Sequence, residues 1–149
     1  MKSTTLTRLD LASCRLGVQG AEALHKVLAF RGDALWSPTR LEDLNLSSNG
    51  FGALGARQLA ESIAVNLNLQ SLDLSANEMG EEGAADLARG LELNKGRIRR
   101  LDASQNDARL AGSRALLDVF MLPIFRFAVC IDRPELMTTP VGLMIDSCK

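Results

Sequence analysis

This chain has no tyrosine, one tryptophan and five phenylalanines. Binding single-stranded nucleic acid by stacking needs several aromatic faces in series, so that class of function is not supplied. Charge of one sign is missing too: 17 Lys plus Arg stand against 18 Asp plus Glu, a formal net charge of −1. Phosphate recognition rests on clustered basic residues, and this balance gives no reason to expect nucleic acid. Cys14, Cys130 and Cys148 are odd in number and widely spaced, which makes no disulfide framework. With the single histidine, His25, they are too scattered to suggest a metal. The longest apolar run, Val119 to Ile131, is broken by Pro123 and Arg126 and falls short of the ~20 residues of a membrane-spanning helix. The opening MKSTTLTRLDLASC lacks the apolar stretch of a secretory signal. The expectation from these absences is an intracellular, cytoplasmic protein in a reducing compartment, with no cofactor, metal or small-molecule substrate.

What the sequence does hold is a repeat. Four segments align, beginning at Leu6, Leu41, Leu69 and Ile98 and ending at Leu28, Ile63, Leu91 and Phe120. Their marker leucines, Leu9, Leu44, Leu72 and Leu101, are 35, 28 and 29 residues apart, a period of 28 to 29 with one insertion of about seven. Each unit opens on L-x-x-L-x-L, whose alternation is that of a strand with one buried face. Leu9 and Leu11, Leu44 and Leu46, and Leu72 and Leu74 therefore point into a core, while Ala103 thins the packing in the fourth unit. Five positions past each marker stand Cys14, Asn49, Asn77 and Asn106. An asparagine amide both donates and accepts, so stacked copies can satisfy the turn that leaves each strand; Cys14 does so only weakly. The second half reads G-x-x-G-A-x-x-L-A-x-x-L, as in Gly52, Gly55, Ala56, Leu59 and Ile63. That spacing makes an amphipathic helix whose alanine-rich inner face sits close to the strands.

The pattern L-x-x-L-D-L-S-x-N-x-x-G-x-x-G-A-x-x-L-A resembles the ribonuclease-inhibitor-like class of leucine-rich repeats. The resemblance covers residues 6 to about 120, and three units are nearly complete. It implies an α/β fold: a right-handed solenoid, a short horseshoe with parallel strands on the concave face and helices on the convex face. One domain is expected over residues 1–149, with repeats at about 6–28, 41–63, 69–91 and 98–120. Residues 121–149 would form a degenerate strand, IFRFAVCID, and a C-terminal cap and tail. The fourth unit departs from the pattern, with Ala103, Ala108 and Arg109 where leucine, an apolar residue and glycine belong.

A solenoid end needs covering, and five residues before Leu6 are too few for a cap. The first repeat is expected to meet a partner or to belong to a longer array. The candidate binding surface is formed by the strand positions beside the buried leucines. One row is Arg8, Asp43, Ser71 and Arg100, the next Asp10, Asn45, Asp73 and Asp102, and a third Ala12, Ser47, Ser75 and Ser104. Its acidic middle could read a basic or mixed-charge segment. Trp36, in the insertion RGDALWSPT, is a candidate loop contact, since tryptophan is favoured at binding hot spots. His25 is placed on the outer face of the first helix, and no nucleophile has a base partner at a telling spacing. The functional expectation is a non-catalytic protein–protein interaction module, a scaffold or accessory subunit of a larger hetero-assembly. The alternative that the resemblance permits is a regulator, an inhibitor or GTPase activator, gripping its target through the concave face. Its polar residues would sit in the loops after the strands, where Arg15 and Arg109 are the available arginines.

Overall fold

A computed structural model of the chain describes residues 6–29, 40–94, 97–120 and 128–131. Strand and helix alternate in order: β1 (Arg8–Asp10), α1 (Gly17–Leu28), β2 (Asp43–Asn45), α2 (Gly52–Val65), β3 (Ser71–Asp73), α3 (Gly80–Asn94), β4 (Arg100–Asp102), α4 (Arg109–Phe120) and β5 (Ala128–Cys130). The strands form one sheet in the order β1-β2-β3-β4-β5, every pair parallel. The register aligns Leu9, Leu44, Leu72, Leu101 and Val129, so the marker leucines stack as the repeat predicts. The fifth strand falls inside the degenerate segment expected to close the array. Strands in a sheet repeat at about 4.8 Å and packed helices at about 8–10 Å. An array that joins them one to one must bend with the strands on the inside.

Leu44, Leu46, Leu72 and Leu74 are all buried, as are Leu59, Ile63, Leu87 and Leu91 from the helices. Leu9 and Leu11 are only half-buried, because among the described residues β1 has a neighbouring strand on one side alone. Ala103 and Ala108 keep the inward positions of the fourth unit and remain buried. The helices pack closely because small residues meet where they cross. A methyl group on Gly90 would lie 2.4 Å from the Ala60 carbonyl oxygen, so only glycine lets α3 approach the backbone of α2 there.

The strands β1 to β4 are each left through a loop with three left-handed residues at alternate positions. In the second repeat these are Ser48, Gly50 and Gly52; in the third, Ala76, Glu78 and Gly80; in the fourth, Gln105, Asp107 and Arg109. The third residue of each triplet opens the helix, and Arg109 holds that position at φ 49° with no glycine to relieve it. Cys130 is disulfide-bonded and buried, where the cysteine spacing predicts no disulfide framework.

Candidate functional site

The expected polar ladder is present and fully engaged. The Asn77 amide nitrogen donates to the carbonyls of Leu46, Leu74 and Ser75 at 3.0–3.1 Å, and its oxygen accepts the Asn49 N–H at 2.8 Å. Asn49 repeats this toward the first unit, donating to Leu11, Leu46 and Ser47 and accepting from the N–H groups of Cys14 and Leu16. Asn106 does the same toward the third, donating to Leu74, Ala103 and Ser104 and accepting from Asn77. Every asparagine therefore reaches back to the preceding repeat. The exposed Cys14 ends the ladder, its Sγ reaching only the carbonyl of Ala12 in its own loop.

A second ladder, missed in the sequence, runs along the other end of the helices. Asn66 donates to the Leu28 carbonyl and accepts from Asn68 and Leu69. Asn94 donates to the carbonyls of Ile63 and Asn66 and accepts from Arg97 and Ile98. The signal was available, since the two asparagines are 28 residues apart, one repeat period.

The predicted rows assemble on the strand face. Arg8, Asp43, Ser71 and Arg100 align in one row, and Asp10, Asn45, Asp73 and Asp102 in the next. Inside the first row the charges pair off. The Arg8 Nε sits 2.8 Å from Asp43, and Arg100 reaches over the small Ser71 to within 3.3 Å of the same carboxylate. The two arginines thus converge on Asp43 instead of standing apart at the ends. In the middle row one oxygen of each acid is spent locally. Asp73 Oδ1 accepts the Ser75 N–H and hydroxyl at 2.9 and 2.7 Å, and Asp102 Oδ1 accepts those of Ser104 at 3.0 and 2.6 Å. Asn45 makes the same pair of bonds with Ser47. Asp10 takes the Ala12 N–H on one oxygen and the Asn45 amide on the other. The Oδ2 atoms of Asp73 and Asp102 have no hydrogen-bond partner among the described residues. The serines of the third row orient this acidic row.

His25 is not on the outer face of α1. It is half-buried, with Nδ1 at 3.0 Å from the Gln58 carbonyl and 2.9 Å from the Ser62 hydroxyl, so it joins α1 to α2. A one-residue error of helical phase is enough to misplace it, since neighbours differ by about 100°. The loop arginines Arg15 and Arg109 are both exposed and both left-handed, and Arg109 lies 3.9 Å from Asp107. Trp36 lies outside the described residues. On the helix face Arg57, Glu61, Glu82, Asp86 and Arg89 rim a shallow groove between α2 and α3. Arg57 stands 3.6 Å from Glu61 and Arg89 pairs with Asp86, so that surface is largely self-neutralised.

No helix among the described residues is long and apolar enough to cross a membrane. Comparison with curated proteins gives no match. The leucine-rich repeat family matches residues 2–24, 38–60 and 65–88, the first three repeats, and β4 with α4 adds a fourth of the same build. The strand-plus-helix unit is compatible with the ribonuclease-inhibitor-like class that the residue pattern resembles. Repeat, register and family match together establish a leucine-rich repeat protein, a protein–protein interaction module in the general sense of that fold.

Proposed function

We propose that this module is non-catalytic, serves as an accessory subunit of a larger assembly, and docks a basic segment of its partner on the strand face. The observation that carries this reading is the pair Asp73 and Asp102. They are neighbours in register, each fixed through Oδ1 and each with an Oδ2 that has no hydrogen-bond partner among the described residues. Preorganised acceptors lose little side-chain entropy on binding. The arginines of the adjacent row are already drawn to Asp43, which leaves the acidic row as the uncompensated charge of the surface. A lysine or arginine side chain laid along the row would find two carboxylate oxygens about 5 Å apart, the spacing of adjacent strands. The reading places the whole chain in one domain, with residues 121–149 as its closing strand, cap and tail.

Fluorescence anisotropy with a labelled lysine- and arginine-rich peptide tests it. Binding should weaken as salt rises and fall about tenfold in Asp73→Asn/Asp102→Asn, a loss of about 1.4 kcal/mol. Equal affinity of the double variant for the peptide would refute the docking site. Native mass spectrometry of the protein isolated gently from its source tests the assembly: a defined hetero-complex supports the accessory role, and a free chain overturns it.

A further inference from the structure

We propose that β1 is the seam of a symmetric homodimer, in which two copies of this chain pair their first strands antiparallel about Leu9. The backbone groups of β1 alternate in direction. The Leu11 N–H donates to Asn45 and the Thr7 carbonyl accepts from Glu42 and Asp43, so the odd-numbered residues of this segment bond to β2. Alternation turns the N–H and C=O groups of Arg8 and Asp10 to the other side, where the sheet has no further strand among the described residues. An antiparallel copy centred on Leu9 sets Arg8 opposite Asp10 of its mate, and Asp10 opposite Arg8. Both are hydrogen-bonded pairs, giving four backbone bonds, while the two Leu9 residues form the close, non-hydrogen-bonded pair between them.

The side chains fit the same register. Arg-Leu-Asp is its own charge complement when reversed, so each arginine meets an aspartate on the strand face. Arg8 keeps Asp43 with its Nε, and its terminal amino groups have no partner among the described residues; the side chain is 82% exposed. Each Asp10 oxygen holds one hydrogen bond and has room for another. Beneath the sheet, Leu9 and Leu11 are half-buried where their counterparts Leu44 and Leu46 are at 2% and 0%, so apolar surface is available for burial. On α1, His25 faces α2, and helical phase puts Leu24 and Val27 on the opposite flank; Val27 is 54% exposed.

Among the described residues the asparagine ladder stops at Cys14. Asn49, Asn77 and Asn106 all reach back to the repeat before them, and Cys14 reaches only Ala12. A repeat stacked on β1 would find no amide extended toward its loop. An antiparallel strand asks nothing of Cys14.

Sedimentation equilibrium of the full chain across the micromolar range reads the result. A reversible dimer is expected. Arg8→Asp and Asp10→Arg should each weaken it about tenfold or more, by setting like charges opposite one another, and the double exchange Arg8→Asp/Asp10→Arg should recover most of the loss. In a Cys14→Ser background, Leu9→Cys should form an intermolecular disulfide on mild oxidation, identified by peptide mapping. Cα atoms of a non-hydrogen-bonded pair are about 4.5 Å apart, within disulfide range. A monomer at every concentration would overturn the proposal. So would a dimer indifferent to both charge reversals, or one that the double exchange fails to restore. Asp73 and Asp102 take no part in the seam, so peptide docking and dimerisation succeed or fail independently.

Discussion

Asn77 is fully buried and uses every hydrogen-bonding position its amide has within reach. Alanine there removes two donors and an acceptor at once; it leaves the buried Asn49 N–H without its acceptor, while the Leu46 and Leu74 carbonyls each keep one bond, from Asn49 and Asn106. An unmet buried group costs about 1–3 kcal/mol, so Asn77→Ala should lose about 2–3 kcal/mol in urea unfolding. Cys14 occupies the same register but is exposed, with no earlier repeat among the described residues for it to reach. Cys14→Asn should change stability by less than about 0.5 kcal/mol, since a new amide there gains little beyond its own loop. A large stabilisation in that variant would mean that the ladder does not end where the structure ends it. Arg109 shows the other kind of residue-scale cost, a side chain held at φ 49° where two of the other three repeats have a glycine in register and the first has Gly17. Arg109→Gly should therefore raise stability by about 1 kcal/mol, relief of left-handed strain exceeding the added flexibility of glycine.

At the scale of the element, the distance between α2 and α3 is set by Gly90. A Cβ at 2.4 Å from a backbone oxygen cannot be accommodated by a side-chain rotation, so the helices must part. Gly90→Ala should cost about 2–3 kcal/mol despite alanine's better helix propensity, and the circular-dichroism signal at full folding should be unchanged. An increase in stability would show that the crossing is looser than the contact implies. Gly90 also marks what could be read in advance. The leucine alternation and the G-x-x-G-A spacing gave strands, helices, register and the Asn49–Asn77–Asn106 ladder, because burial periodicity is written directly in residue type. The first positions of the left-handed triplets were not readable, since Ser48, Ala76 and Gln105 share a backbone conformation and no side-chain chemistry. Nor was the convergence of Arg8 and Arg100 on Asp43, which depends on the small Ser71 lying between them and on two long side chains choosing the same anchor. The acidic row was legible as a row, but the part its neighbouring serines play in orienting it was not.

For the molecule as a whole, stability is carried between neighbours, because each repeat covers the core of the next and no central core exists apart from the stack. The consequence depends on position. Leu72 is 3% exposed and lies between β2 and β4 through the pairs Leu44–Leu72 and Leu72–Leu101, so a charge there is felt by three repeats together. An unpaired buried carboxylate costs several kcal/mol, comparable to the whole stability of a domain of this size. Leu72→Asp should therefore lose both helical and strand signal in circular dichroism and show no cooperative thermal transition. Leu9→Asp is the same chemical change at the half-buried edge, where only one neighbouring strand depends on it. That variant should keep a cooperative transition and most of its helical signal, with loss confined to the first repeat and measured as faster amide exchange along α1. If the two substitutions proved equally damaging, the array would unfold as one unit from any point. Graded damage, severe in the middle and slight at the edge, is the behaviour that nearest-neighbour stacking requires.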